Sequence, residues 1–153
     1  MQYSFMLFSH SAAYAVRALT WLACQPKDSR WLATDVASRE GIPRPYLSKV
    51  LGVLKTQGLI SSVRGPKGGY VLVQDPDTIS LMHVLALFDS EKWVTECPLA
   101  FGNCGECTLC PLGDVWDGTR TTLQHFMEAT TIGSLAQRTL SKAAEAMRQK
   151  HTA

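Results

Sequence analysis

The sequence has few charged residues and no long apolar run, and both shortages exclude classes of protein. Only 18% of its 153 residues are charged while 46% are hydrophobic, which is not the composition of a disordered chain and predicts one domain-sized core. No stretch is apolar over the length that a bilayer requires. The first residues do not have the pattern of a secretory signal, and no internal repeat is present. We therefore expect a globular protein of the cytoplasm.

The sequence also lacks the evenly paired cysteines of a secreted disulfide framework. Its five cysteines are an odd number, and Cys97, Cys104, Cys107 and Cys110 fall within one short segment. Thiolates bind zinc, copper(I) and iron–sulfur clusters, and the CxxCxxC run from Cys104 has the spacing of ferredoxin-like cluster loops. An iron–sulfur cluster is the favoured interpretation. A structural zinc site and free thiols that sense by disulfide formation are the alternatives. Cys24, on an apolar helix, is predicted to be a small core residue.

No catalytic set is apparent among the four histidines, so no enzymatic activity is predicted. They are scattered along the chain, and none adjoins a serine or aspartate in a motif that would support acid–base or nucleophilic chemistry. An iron–sulfur electron carrier is the alternative from a different functional class. Such a carrier needs a cluster but no DNA-binding surface, and the next features of the sequence argue for that surface.

The first half of the chain is predicted to contain a helix-turn-helix. Apolar residues recur at helical spacing over residues 9–24, and a brief helix over 35–39, capped by Thr34, stops at Gly41. A second helix is predicted from about 45 to 57, with a polar and basic face opposite its apolar stripe. A short helix, a tight turn and a helix with such a face are typical of helix-turn-helix proteins.

A predicted β-hairpin follows the second helix and would form a wing. Residues 59–63 and 70–73 are rich in residues that favour strands, and between them Gly65-Pro66-Lys67-Gly68-Gly69 favours a tight turn. The predicted fold class is therefore mainly α with a small β-hairpin wing, a winged helix-turn-helix domain. The second helix would enter a major groove, and the wing would reach the backbone or the adjacent minor groove.

Positive charge is concentrated in this predicted unit. Between Arg39 and Tyr70 there are six cations and one carboxylate, Glu40, whereas between Asp75 and Asp117 there are eight carboxylates and one lysine. Concentrated basic charge on one compact unit is typical of proteins that bind phosphate backbones. The helix pattern, the wing and the charge together predict double-stranded DNA as a partner.

The second half of the chain is predicted to be helical around the cysteine loop. Ser80 would cap a helix over 81–88, a longer helix follows at 112–130, and a break at Gly133-Ser134 leads to a helix over 134–149.

A long helix that leaves a small domain needs a partner for its apolar side, and we predict that a second copy of the chain supplies it. The helix would then be the dimerisation helix of a homodimer on a near-palindromic operator. The alternative is that it folds back on its own domain. The predicted division is 1–80 for DNA binding and 81–153 for the sensor and dimerisation region, with the cysteine loop at 93–111.

The wing and the cysteine loop resemble the winged-helix regulator family that includes IscR, NsrR, RirA and CymR. Residues 61–72 are close to the wing motif of that family, and Cys110-Pro111-Leu112 followed by Trp116 is similar to its cluster loop. Tyr14-Ala15-Val16-Arg17 and Thr130-Thr131-Ile132 are similar as well. The resemblance covers nearly the whole chain and implies a homodimeric regulator, here expected to be a repressor. Its iron–sulfur members change DNA affinity when a cluster is gained, lost or modified, and the cysteine loop of this chain is expected to sense redox, iron or nitric oxide status.

The resemblance also implies which residues bind DNA and metal. Where such members use a histidine three residues after the last cysteine or a first-helix aspartate of the partner, this chain has Gly113 and Ala13. Cys107 is therefore the candidate fourth iron ligand, ahead of His10 and Asp114, and four thiolates favour a [4Fe–4S] over a [2Fe–2S] cluster. The predicted metal ligands are Cys97, Cys104, Cys107 and Cys110. The predicted DNA-binding residues are Arg44, Tyr46, Ser48, Lys49, Lys55, Arg64 and Lys67.

Overall fold

The computed structural model describes residues 8–89 and 110–151, and within them the fold is helical with one small sheet. No helix among these residues has both the length and the apolarity needed to cross a membrane. The elements in chain order are α1 His10–Ala23, α2 Ala33–Glu40, α3 Arg44–Thr56, β1 Ile60–Val63, β2 Gly69–Leu72, a 3₁₀ turn Pro76–Thr78, α4 Leu81–Ala86, α5 Gly113–Ala129 and α6 Ile132–His151.

Helix α1 is the central element, since α2, α3, α4 and α6 all pack against it. The Ser9 side chain caps its first turn by accepting a hydrogen bond from the Ala12 N–H at 3.1 Å. Its buried side consists mostly of small residues, which let neighbouring helices approach closely. These are Ala12, Ala15, Ala18, Leu19 and Leu22.

Helices α2 and α3 form the predicted helix-turn-helix, with one correction at its start. Thr34 does not cap α2 but lies inside it. The helix begins earlier because Asp35, in its first turn, accepts a hydrogen bond from the Leu32 N–H at 3.2 Å. Gly41 ends the helix with a φ of +59°, as predicted. Helix α3 buries Leu47, Val50, Leu51 and Leu54 against the core.

The wing is an antiparallel pair of four-residue strands. Strand β1 begins one residue later than predicted, and β2 begins and ends one residue earlier than predicted. Ile60 pairs with Leu72, and Val63 pairs with Gly69 at the tip. Trp31 adds a one-residue third strand, because its N–H and C=O exchange hydrogen bonds with Tyr70 at 3.0 and 2.8 Å. The wing is thereby tied to the segment that precedes α2.

The break between α5 and α6 falls at Thr130 and Thr131, so its predicted position at Gly133-Ser134 was wrong. The Thr131 N–H donates to Ser134 Oγ at 3.2 Å and the Ser134 N–H donates to Thr131 Oγ1 at 3.1 Å, which starts α6 at Ile132. Gly133 lies within the helix, where a β-carbon would collide with Asp77.

Helix α5 is covered by its own domain along part of its length. Its Met127 is fully buried with Leu81 and Leu85 of α4 and Ala12 of α1. The main core includes Val84 and Ile132 together with residues of α1 to α3, so the two predicted regions share it. The alternative prediction, in which the long helix folds back on its own domain, therefore describes the carboxyl-terminal end of α5. The division into 1–80 and 81–153 stays a prediction.

Candidate nucleic-acid interface

The outer face of α3 carries the predicted recognition residues. Arg44, Tyr46, Ser48, Lys49 and Lys55 are all exposed, because the apolar stripe of the helix faces the core. The Tyr46 side chain is 58% exposed, an unusual position for an aromatic ring that could otherwise pack. The Ser48 hydroxyl donates to the Arg44 carbonyl oxygen at 3.0 Å, which leaves its acceptor lone pairs outward. The face offers both donors and acceptors to base edges or phosphates.

Gly52 lies on this same face and was not among the predicted residues. It is exposed, and nothing lies within 4 Å of the position that a β-carbon would occupy. A glycine inside a helix costs about 0.5–1 kcal/mol relative to alanine, so the fold gains nothing from it here. The bare backbone instead allows a close approach by another molecule. The signal was present in the sequence as a glycine in the middle of a helical pattern.

The wing tip presents two cations on a tight turn. Arg64 and Lys67 are both exposed, and the Gly68 N–H donates to the Gly65 carbonyl oxygen at 2.9 Å to close the turn. Gly65 has a φ of +116°, a conformation that favours glycine. The predicted turn is confirmed, and it brings two positive charges to the end of a narrow hairpin.

The positive charge of this surface is not neutralised by its own residues. None of the five cations on α3 and the wing forms an ion pair within the described part of the chain. Glu40, the one carboxylate between residues 39 and 70, instead faces Arg17 of α1, with Oε2 3.2 Å from Arg17 Nε. Charges left free on one side of a small unit attract a polyanion. This arrangement is the electrostatic requirement of DNA binding.

The predicted metal site falls mostly outside the described residues. Cys97, Cys104 and Cys107 lie outside the described residues. Cys110 alone is described, as a half-buried free thiol three residues before Gly113, where α5 begins. No group of three histidine, cysteine or acidic side chains that could hold a metal occurs within residues 8–89 and 110–151. His10, the weaker candidate ligand, is exposed at the start of α1.

One buried donor at the start of α5 is consistent with an acceptor in the cysteine loop. The indole Nε1 of Trp116, the fourth residue of α5, is buried and has no hydrogen-bond partner in the described part of the molecule. A buried N–H without an acceptor is costly, so one is expected nearby. Thiolate and sulfide are both acceptors, and these residues therefore fit a metal–thiolate or cluster group.

Cys24 is half-buried at the end of α1, not in the core as predicted. Cys24 follows Ala23, the last residue of α1, as the carboxyl-terminal cap, and it belongs to neither buried apolar cluster. Its Sγ lies 3.7 Å from the Ala136 carbonyl oxygen of α6. Burial, with a smaller contribution from the charge of Glu40, raises the pKa of the Cys24 thiol above its ordinary value. Cys24 is consequently a poor nucleophile at neutral pH.

Comparisons with known proteins agree with this geometry. The Rrf2 family model, described as an iron-dependent transcriptional regulator, matches residues 8–138. The chain is 33% identical over 130 residues to the HTH-type transcriptional regulator IscR of Vibrio vulnificus, across 85% of this chain and 77% of that protein. The structure of CymR, the global cysteine regulator of B. subtilis, matches with a TM-score of 0.74 at 20% identity, across 88% of this chain and 98% of that one. The oxidized form of Staphylococcus aureus CymR matches with a TM-score of 0.66 at 26% identity, across 86% and 96%.

Proposed function

This chain belongs to the Rrf2 family of transcriptional regulators, and on that basis we propose that it is a homodimeric, cytoplasmic repressor whose cysteine loop binds an iron–sulfur cluster. It is a DNA-binding regulator and not an enzyme, as predicted from the sequence. The observation that carries the further proposal is the position of Cys110. This thiol lies three residues before Gly113, the first residue of α5, and α5 is the helix proposed to join the two copies.

The proposed DNA contacts follow from the exposed surface of α3 and the wing. Helix α3 would lie in a major groove, where Arg44 and Lys49 can reach phosphates or guanine edges and Tyr46 can contact a base or sugar. Arg64 and Lys67 would meet the backbone or the adjacent minor groove. Ser48 and Lys55 complete the proposed set, and Gly52 would allow the helix to sit close to the DNA.

The proposed dimer uses the uncovered side of α5. Val115 is 72% exposed and Phe126 is 53% exposed, and both lie on one stripe because eleven residues make about three helical turns. Large apolar side chains exposed along one stripe are a common mark of a protein interface. A second α5 with the same stripe would cover them symmetrically.

The cluster proposal rests on the chemistry of the donor set. Cys97, Cys104, Cys107 and Cys110 would supply four thiolates, and the Trp116 indole N–H would donate to a sulfur of the group. When bound, the cluster supplies a redox-active centre that responds to oxidants or nitric oxide. Because Cys110 lies three residues before α5, binding of the cluster would change how α5 meets its partner. A bound group shifts such an equilibrium only through its different affinity for the two states.

Thiol-based sensing without a cluster is the second candidate function. The favouring observation is the similarity, at 26% identity, to a regulator whose structure was solved in an oxidized form. In that case the loop cysteines would form disulfides on oxidation. A structural zinc site would use the same four thiolates and carry no redox signal.

Anaerobic purification distinguishes these possibilities. The visible absorption spectrum should show a brown chromophore, and assays of the same sample should find iron and sulfide in near-equal amounts and little zinc. Cys107→Ser should lose or alter the chromophore, whereas the matched variant Cys24→Ser should retain it, since Cys24 lies on α1. Operator affinity should differ between the loaded and the metal-free protein. A colourless protein with one zinc per chain, or equal affinity in both forms, would contradict the cluster sensor.

A further inference from the structure

An open cleft of about 650 Å³ lies between α1, α2 and α6, and none of its lining residues in the described part of the chain belongs to α3 or the wing. Its walls come from three separate parts of the chain. Trp21 and Cys24 line it from α1, Arg39 from α2, and Arg138 and Lys142 from α6.

The charge of the cleft is positive. Arg39, Arg138 and Lys142 form no ion pair with any residue that the structure describes. Arg17 and Glu40 also line the cleft, but they neutralise each other. Three free cations therefore face one cleft without a free carboxylate, which favours an anionic ligand.

The cleft also has an apolar wall and an unused donor. Trp21 is held in place by an edge-to-face contact with Trp31, with ring centroids 5.0 Å apart, and Leu140 of α6 lines the cleft with it. Thr20 also lines the cleft, and its hydroxyl oxygen is buried without a hydrogen-bond partner within the described part of the molecule. Binding pockets for small molecules commonly combine an apolar wall with a few polar groups in this way.

We propose that this cleft binds a small organic anion, a carboxylate with an apolar body. The carboxylate would lie between Arg138 and Lys142, which are four residues apart and so share one face of α6. The apolar body would rest on Trp21 and Leu140. The proposed contacts use none of the four loop cysteines, so the site would give the regulator a second input.

The position of the site implies an effect on DNA binding. A ligand that contacts Arg39 and Arg138 together links α2, the first helix of the helix-turn-helix, to α6. Since α2 packs on α3, a changed position of α2 is passed to the recognition helix. The coupling is reciprocal, so the ligand must alter DNA affinity by the same factor by which DNA alters ligand affinity.

Binding of the fluorescent anion 8-anilinonaphthalene-1-sulfonate to the full chain, with benzoate and uncharged benzyl alcohol as competitors, tests this proposal. Benzoate should displace the probe, and benzyl alcohol at the same concentration should not. Arg138→Gln and Lys142→Gln should each weaken benzoate binding by about two- to fivefold, the effect expected for one partly exposed charge pair. The matched control Arg30→Gln removes a cation outside the cleft and should bind benzoate like the wild type.

Two results would overturn the proposal. Equal displacement by benzyl alcohol would show that the probe occupies an apolar surface that does not recognise charge. Unchanged benzoate affinity in Arg138→Gln and Lys142→Gln would show that the anion binds elsewhere. Both substituted residues are exposed on α6, so the variants are expected to fold and the comparison remains valid.

Discussion

At the scale of single residues, the pairing of the wing with Trp31 depends on Gly69. Gly69 is buried with a φ of +141°, and a β-carbon there would lie 2.7 Å from the carbonyl oxygen of Trp31. That close approach is what allows Trp31 to pair with Tyr70 and anchor the wing. Glycine is therefore required at this position both for its conformation and for its missing side chain.

Gly69→Ala should lower the free energy of unfolding by about 2 kcal/mol, since strained backbone costs about 1–3 kcal/mol and a steric collision is added. Gly65→Ala is the matched control. Gly65 also has a positive φ, but its β-carbon would meet no atom within 4 Å, so the loss should be smaller. Urea denaturation of both variants measures the difference. Equal losses would show that backbone conformation alone, without contact to Trp31, accounts for the effect.

The raised pKa of the Cys24 thiol predicts slow alkylation. Because burial favours the neutral thiol, the folded state holds this proton more tightly than the unfolded state does. The stability that this difference gives to the folded state is fully present at pH values below the pKa of the thiol in the unfolded chain. It is lost as the pH rises through the pKa of the thiol in the folded protein. Iodoacetamide labelling of the Cys24 peptide, followed by mass spectrometry, should reach half its maximal rate at higher pH in native protein than in urea. Coincident profiles would contradict the burial effect.

At the scale of elements, the wing is expected to contribute one phosphate contact through Arg64. Arg64→Ala should weaken operator binding about equally for all sequences and reduce the slope of log affinity against log salt by about one. Arg30→Ala, which removes an exposed cation outside α3 and the wing, should leave the slope unchanged. Fluorescence anisotropy at several salt concentrations measures this slope. A lower affinity with an unaltered slope would assign Arg64 to a role other than phosphate contact.

The helix boundaries show which features of the fold can be predicted from residues that are neighbours in the sequence. The periodicity of α1 and α3, the Ser80 cap of α4 and the glycine stop of α2 were all predicted from neighbouring residues and are confirmed. The break before α6 was misplaced because a glycine usually marks a break. Gly133 is instead required by its contact with Asp77, which lies far away in the sequence.

At the scale of the whole molecule, the exposed stripe of α5 predicts the oligomeric state. Val115→Asp and Phe126→Asp should each shift the protein from dimer to monomer, because a charge in an apolar interface loses hydration without gaining a partner. Thr121→Asp places the same charge at another exposed position of α5 and should leave the dimer intact. Sedimentation velocity measures all three. A monomeric wild type, or dimers in every variant, would contradict the proposed interface.

The sequence by itself determined the fold class and most of the elements, and it predicted a DNA-binding surface, because helix periodicity, turn glycines and the excess of cations are local properties of the chain. Only the tertiary structure decided which charged side chains form ion pairs and where a cleft remains open between the helices. Glu40 precedes the recognition helix, yet its pairing with Arg17 removes it from the DNA surface. The cationic cleft needs Trp21, Arg39 and Arg138 side by side, and only the packing of α6 against α1 brings them together.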